Sequence, residues 1–146
     1  MQTILGANGV IGRELARRLP AYTDRVRLVS RTPRRVNGAD ELVSADLLDA
    51  SATADAVKGS AVAYLVAGLK YDTRVWQDQW PRVMRHAIDA CARHDCALVF
   101  FDNVVEGVGN GRVTLANQEG MRLLVAHLAQ VHGHRRIGFL GGKPTE

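Results

Sequence analysis

Cysteine, aromatic side chains and long apolar runs are all scarce in this sequence of 146 residues. The two cysteines, Cys91 and Cys96, are five positions apart, which matches neither a C-x-x-C redox pair nor a common zinc spacing, so we expect buried, reduced thiols. No apolar run approaches the roughly 18 residues that cross a membrane. Met1 leads directly into a strand pattern, so we expect no signal peptide, no membrane partner and a cytoplasmic location.

Aromatic residues make up only 5% of the chain, whereas the net charge is +4 and unevenly placed. A binder of single-stranded nucleic acid interleaves aromatics for base stacking, and the basic first 35 residues hold only Tyr22, so we expect no nucleic acid. The basic residues of this region are eight arginines, which favour phosphate as a partner, although most of them fit a solvated helix face. They are Arg13, Arg17, Arg18, Arg25, Arg27, Arg31, Arg34 and Arg35.

A glycine-rich stretch near the start of the chain is the strongest local signal. Residues 3–13 read Thr-Ile-Leu-Gly-Ala-Asn-Gly-Val-Ile-Gly-Arg, an apolar strand that breaks into glycines and then into a helical pattern. Such glycines allow a tight turn, the approach of a pyrophosphate and close packing of helix on strand. A glycine turn that binds nothing is the alternative. The predicted cofactor-binding residues here are Gly6, Asn8, Gly9, Val10, Ile11 and Gly12.

Strand and helix patterns alternate along the whole chain, which predicts a doubly wound, Rossmann-like parallel sheet covered on both faces. We predict one α/β domain over residues 1–146, with about six strands in the order 3-2-1-4-5-6. Helices are expected from Ile11 to Leu19, from Ser51 to Val57, from Thr73 to His94 with a kink or restart at Pro81, and over 118–132. The predicted strands are 3–5, 26–29, 41–43, 62–66, 97–101 and 136–140.

The end of the second strand bears on the choice of cofactor. An acid there binds the ribose 2′-hydroxyl of NAD, whereas an arginine suits the 2′-phosphate of NADP. Here the strand runs into Ser30 and Arg31 with no acid, and Arg34 and Arg35 follow, so several guanidiniums favour NADP over NAD. The alternative is that Arg31 is only a surface residue at a strand end.

The glycine loop, Ser30-Arg31, the Ala45-Asp46-Leu47 turn and residues 62–68 before the Trp76 and Trp80 helix together resemble the NAD(P)-dependent epimerase/dehydratase branch of the short-chain dehydrogenase/reductases. The likeness covers about two thirds of the chain, residues 1–104. It implies that Asp46 and Leu47 line the base pocket, and that Ala67 and Gly68 pass beside the ribose and nicotinamide.

The catalytic pair of that family does not carry over. The resemblance implies a Tyr-x-x-x-Lys that moves a proton. Here the last tyrosine is Tyr71, and the lysines, Lys58, Lys70 and Lys143, do not complete such a pair. We therefore expect no catalytic residues and no native catalytic activity.

A second resemblance covers about forty residues from 105 to 146. Residues 114–121 (Thr-Leu-Ala-Asn-Gln-Glu-Gly-Met), His127-Leu128 and 132–142 (His-Gly-His-Arg-Arg-Ile-Gly-Phe-Leu-Gly-Gly) resemble the lac-repressor-like, type I periplasmic-binding-protein sensor domain. The chain is too short for both sensor lobes, so effector binding is not expected. His127 and His132 do not have the i, i+4 spacing of a metal pair, and we expect no metal site.

Two resemblances in one chain favour a constructed or recombined chimera, joined near residues 103–108, whose remaining property is a fold with weak NADP(H) binding. The alternatives are a natural, truncated or diverged NADP-dependent reductase or epimerase, and a catalytically dead NADP-sensing regulator. The oligomeric state is left open.

Overall fold

Six short strands form one parallel sheet in the computed structural model, which describes residues 1–101 and 111–113 together with the isolated helical positions Ala126 and Gln130. The order across the sheet is β3-β2-β1-β4-β5-β6. The strands are β1 (Gln2–Leu5), β2 (Val26–Ser30), β3 (Glu41–Ser44), β4 (Val62–Leu65), β5 (Ala97–Phe101) and β6 (Gly111–Val113). The helices are α1 (Val10–Arg18), a short 3-10 turn (Leu19–Ala21), α2 (Ala50–Val57) and α3 (Thr73–Arg93).

The predicted order of the first five strands is confirmed, but the sixth strand lies elsewhere in the sequence. β6 pairs in parallel with β5 and aligns Val99 with Gly111 and Phe101 with Val113. The predicted sixth strand, 136–140, lies outside the described residues, as does most of the helix expected over 118–132. No strand was predicted at 111–113, because the sequence Gly-Arg-Val is too short to show a strand period.

The chain divides into two compact units, Met1–Thr114 and Leu115–Glu146. All of the elements above belong to the first unit. The prediction of a single domain over 1–146 stays a prediction.

The two faces of the sheet carry separate clusters of buried side chains. Neighbouring residues of a strand point to opposite faces, so Ile4 and Leu5 of β1 enter different clusters, and both are fully buried. Ile4 packs with Ala16 of α1 on one face, whereas Leu5 belongs to the cluster that includes Val57 of α2 and Val83 of α3 on the other. Helices therefore cover both faces, as predicted for a doubly wound sheet.

Two predicted helix boundaries need correction. Helix α2 begins one residue before Ser51, because the carboxylate of Asp49 accepts hydrogen bonds from the N–H groups of Ser51 and Ala52 and so caps the helix. Helix α3 runs without interruption through Pro81, which is exposed. A proline costs a helix one backbone hydrogen bond, and the packing of the apolar face of α3 offsets this loss.

The carboxyl end of α3 brings the two cysteines together. Asp95 adopts a left-handed conformation with φ of 50°, and the N–H of Cys96 donates to the carbonyl of Cys91 at 2.9 Å. This is the six-to-one hydrogen bond of a Schellman motif, which places residues five apart against each other. Both cysteines are buried and free, as the sequence predicted. Burial, reinforced by the neighbouring Cys96, raises the pKa of the Cys91 thiol to about 12.

One of the amino-terminal arginines is not on a solvated face. Arg27 of β2 is buried, with its Nε 2.9 Å from the carboxylate of Glu41 on the neighbouring strand β3. One terminal nitrogen also donates to the carbonyls of Ala56 and Lys58 at the end of α2. Arg27 thus satisfies the last carbonyls of that helix and joins it to the sheet.

Ile11, the predicted first residue of α1, lies outside the buried face of the helix. Ile11 is 45% exposed, and the buried face is formed by Gly12 and Ala16, continued by Leu19. The first turn of α1 lies beyond the carboxyl ends of the strands, where the sheet no longer covers it. Among the described helices, none has the length and apolarity needed to cross a bilayer.

Candidate functional site

The turn between β1 and α1 is built so tightly that only glycine fits its first position. Gly6 has φ of +92°, and a Cβ placed there would lie 2.6 Å from the backbone nitrogen of Ala67. The N–H groups of Gly6 and Ala7 both donate to the carbonyl of Val29, at 2.9 and 3.0 Å. The turn is therefore fixed between the ends of β2 and β4.

The other two glycines of the motif have different surroundings. A Cβ at Gly12 would lie 2.8 Å from the Cα of Ala7, so Gly12 allows α1 to pack on the turn. Within the part of the chain that the structure describes, a Cβ at Gly9 would lie 3.6 Å from the nearest atom outside its chain neighbours, the carbonyl oxygen of Gly6, because Gly9 is exposed at the start of α1. Gly9 is the N-cap residue, and among the described residues no side chain caps this helix. The first N–H groups of α1 are thus available to an anion.

The segment after β2, residues 31–35, is called the arginine loop here. Asn8 links it to the glycine turn, because the amide nitrogen of Asn8 donates to the carbonyl of Thr32 at 2.7 Å and its amide oxygen accepts from the N–H of Arg34 at 3.2 Å. The guanidinium of Arg35 donates to the carbonyls of Gly38 and Asp40, in the segment that follows the loop. Arg31 is exposed at the sheet end of this loop.

The turn after β3 also lies at the carboxyl end of the sheet, beside the arginine loop. The carboxylate of Asp46, which is exposed, accepts a hydrogen bond from the N–H of Leu48 at 3.0 Å and so stabilises the turn. Leu47 is buried, and its carbonyl lies 3.0 Å from Nδ1 of His86 on α3. The backbone at Leu47 is therefore supported from the helix behind it.

These walls enclose a cleft of about 520 Å³ at the carboxyl ends of β1, β2, β3 and β4. Eight of the eleven predicted site residues line it: Gly6, Asn8, Gly9, Arg31, Asp46, Leu47, Ala67 and Gly68. The other three, Val10, Ile11 and Gly12, do not line it. Val10 is 88% exposed on the first turn of α1, and Gly12 faces the packed turn.

Several cleft residues were not predicted from the sequence. Lys70 lies in the segment after β4, and Gln79 on α3, so neither belongs to a recognisable motif. The hydroxyl oxygen of Ser30 is buried and has no hydrogen-bond partner within the part of the chain that the structure describes. The charged lining residues are Arg31, Lys70 and Asp46, so the cleft is positive overall. The other unpredicted lining residues are Thr32, Ala45, Leu48, Leu69, Val75 and Val83.

Within residues 1–101 and 111–113, no group of three or more histidine, cysteine or carboxylate side chains is placed to hold a metal ion. The histidines considered in the sequence, His127, His132 and His134, lie outside the described residues.

The position of the cleft follows from the strand order. β1 and β4 are neighbours, and the chain runs from β1 through α1 to β2 on one side but from β4 through α3 to β5 on the other, so the two connections diverge and open a crevice at the strand ends. The sheet and the cleft together define a protein of the Rossmann-like α/β class. More particularly, the sequence profile of the NAD(P)H-binding family matches residues 6–132, and the chain belongs to that family.

Solved structures agree with this fold. The chain is similar to uronate dehydrogenase from Agrobacterium tumefaciens, with a TM-score of 0.61 and 24% identity over 69% of this chain and 40% of that one. A mutant of that dehydrogenase has been solved in complex with NAD. Glucuronic acid dehydrogenase from Chromohalobacter salexigens matches with a TM-score of 0.63 and 17% identity over 88% of this chain and 56% of that one. The chain thus spans roughly half the length of these neighbours or less. No curated protein matches the sequence significantly.

The family match bears directly on the chimera hypothesis. It continues through residues 103–108, where a join was expected, and reaches residue 132. Neither the family match, nor the described residues, nor the similar structures indicate a periplasmic-binding-protein segment or a constructed protein. The alternative, a diverged relative of the NAD(P)-dependent enzymes, is the better supported of the two.

Proposed function

We propose that this chain is the nucleotide-binding part of a diverged relative of the NADP-dependent reductases and epimerases, and that its cleft binds NADP(H) in preference to NAD(H). The observation that carries this is the end of β2. An acid that would bind a free 2′-hydroxyl is replaced there by Ser30 and Arg31, both of which line the cleft.

The residues present fit such a nucleotide. The buried hydroxyl of Ser30 has no partner among the described residues, and a phosphate oxygen next to it would supply one. Gly9 leaves open the space in front of the first turn of α1, where a Cβ would otherwise project. In this arrangement the N–H groups of that turn hold the pyrophosphate, Arg31 holds the 2′-phosphate, and Asp46 and Leu47 border the base.

The proposal concerns binding rather than turnover. A nicotinamide cofactor supplies hydride chemistry when bound, but these 146 residues contain no Tyr-x-x-x-Lys with which to move the accompanying proton. We therefore propose that this chain binds the cofactor without catalysing hydride transfer. The dehydrogenase activities of the similar structures belong to chains about twice its length.

Titration calorimetry with NADPH, NADH, 2′,5′-ADP and 5′-AMP tests the binding. We expect both 2′-phosphorylated ligands to bind more tightly than their unphosphorylated counterparts. Replacing Arg31 by alanine removes charge-assisted hydrogen bonds worth about 1.5–3 kcal/mol, a loss of roughly tenfold or more for NADPH. The matched control is Arg34→Ala, which removes the same charge three residues away and leaves the backbone N–H that bonds to Asn8. Equal affinities for NADPH and NADH would refute the selectivity.

A further inference from the structure

The backbone that carries Arg31 is held at consecutive residues by groups outside its own loop. The carbonyl of Ser30 accepts from the N–H of Ala45 at 3.0 Å, which continues the β2–β3 ladder by one step. The next carbonyl, that of Arg31, has no backbone donor within the described residues. It accepts instead from the hydroxyl of Ser44 at 2.8 Å. The side chain of Ser44, the last paired residue of β3, thus adds one more hydrogen bond to the end of the β2–β3 ladder.

The third successive carbonyl, that of Thr32, is held by Asn8 from the opposite side. A carbonyl only accepts and the N–H of Arg34 only donates, so these two contacts fix both the position and the orientation of the Asn8 amide. Asn8 belongs to the glycine turn and Ser44 to β3. The arginine loop is therefore fastened to both of its neighbours.

Of the three arginines in the loop, Arg31, Arg34 and Arg35, Arg31 is the one that lines the cleft. Arg31 lines the cleft, and within the described residues its side chain makes no hydrogen bond or ion pair. Arg35 is committed to the carbonyls of Gly38 and Asp40. A long, exposed side chain loses conformational entropy when it binds, and a fixed backbone at its base reduces what must be ordered.

We propose that Asn8 and Ser44 are positioning residues that set the preference for a 2′-phosphorylated nucleotide by holding the Arg31 backbone at the cleft. This role rests on the proposed binding of NADP(H). Neither side chain needs to touch the 2′-phosphate. Their effect is expected on the ratio of NADPH to NADH affinity, which a general loss of stability does not change.

The test compares the dissociation constants of NADPH and NADH for the full chain and four variants. Asn8→Ala removes two hydrogen bonds to the loop and Ser44→Ala removes one, and we expect each variant to lower the NADPH-to-NADH affinity ratio by roughly three- to tenfold. Ser44→Thr keeps the hydroxyl and restores the ratio. Thr23→Ala is the control, because it removes a hydroxyl that bonds to backbone, at Arg25, outside the cleft.

The outcomes distinguish the positioning role of Asn8 and Ser44 from the proposed binding of NADP(H). If the unmodified chain prefers NADPH but Asn8→Ala and Ser44→Ala keep its ratio, or lose affinity for both nucleotides in parallel, the positioning role is refuted and the proposed function stands. If the unmodified chain binds neither nucleotide, both are overturned. A lowered ratio in both alanine variants, with the ratio of Thr23→Ala unchanged, supports the role.

Discussion

Replacing Gly9 and Gly12 separately by alanine distinguishes a glycine needed for the ligand from one needed for the fold. At Gly9, φ is −68° and ψ is 166°, and an added Cβ meets its nearest atom at 3.6 Å, an ordinary contact. Alanine is a poorer N-cap than glycine by about 0.5–1 kcal/mol. It also restricts the unfolded chain, which returns about 0.4–1 kcal/mol. We expect the free energy of unfolding of Gly9→Ala to stay within about 0.5 kcal/mol of the unmodified chain.

At Gly12 the balance is different, because the added Cβ falls 2.8 Å from the Cα of Ala7 and 2.9 Å from the carbonyl oxygen of Gly6. Both are backbone atoms, so the helix must move. Overpacking of this kind costs about 1–3 kcal/mol, and the better helix propensity of alanine returns at most about 1 kcal/mol. We expect a net loss of about 1–2 kcal/mol, which lowers the melting temperature by roughly 4–8 °C.

Thermal melts by circular dichroism, recorded with and without saturating NADPH, measure both effects. Gly9→Ala should melt within about 2 °C of the unmodified chain when nucleotide is absent. Its methyl group occupies the space proposed for the pyrophosphate, so we expect an affinity loss of at least about tenfold and a smaller shift with NADPH. A Gly9→Ala variant that binds NADPH normally would show that the nucleotide does not pass over the start of α1. A marked loss of stability in Gly9→Ala would instead contradict the open space described at that position.

Three further predictions concern stability and thiol chemistry. Arg27→Ala leaves the last carbonyls of α2 without their partner, and Glu41 keeps only the exposed Arg25 at 3.4 Å, so we expect urea denaturation to show a loss of about 2 kcal/mol, discounted for the partial exposure of Glu41, with unchanged NADPH affinity. Asp49→Ala removes the cap of α2 and should cost about 1 kcal/mol in the same assay, whereas Asp49→Asn should retain most of the stability. The pKa of Cys91 is about 12 when folded, against an ordinary value of 9.0, so the unfolded chain loses this proton first and the free energy of unfolding should fall as the pH rises from about 9 towards 12. A thiol reagent at pH 8 should accordingly label Cys91 only as fast as the chain unfolds, and rapid labelling of the native protein would contradict its burial.

Much of the fold could be predicted because strand and helix periods alternate clearly in the first hundred residues. Residues 62–65 and 97–101 are short apolar runs between helices, and such runs become central parallel strands. β6 could not be predicted, because three residues with two glycines nearby carry no periodic signal, and their pairing is decided by the neighbouring edge of β5.

Site residues could be predicted where the backbone geometry of a local motif requires them. They could not be predicted where only the three-dimensional fold brings them to the cleft. Gly6 and Gly12 are identified by the turn that needs them. Lys70 and Gln79 reach the cleft because β4 ends beside β1 and α3 crosses behind it, and no local spacing in the sequence reports this. The burial of Arg27 was missed for a related reason. Its partner Glu41 is 14 residues away, and a charge inside a strand is interpreted as exposed until its partner is known.

The contact between Gly6 and Ala67 makes the floor of the cleft mechanically stiff. Here the backbones of two segments touch without any side chain between them, so no layer of rotatable groups is present to be compressed or rearranged. We therefore expect the floor to keep its position when a ligand binds. Any adjustment of the protein to its ligand must come from the walls, where the side chains of Asn8 and Ser44 hold the neighbouring loop by three hydrogen bonds in all. The two halves of the cleft should therefore differ in hydrogen exchange, with slow exchange at the floor and faster exchange along the arginine loop.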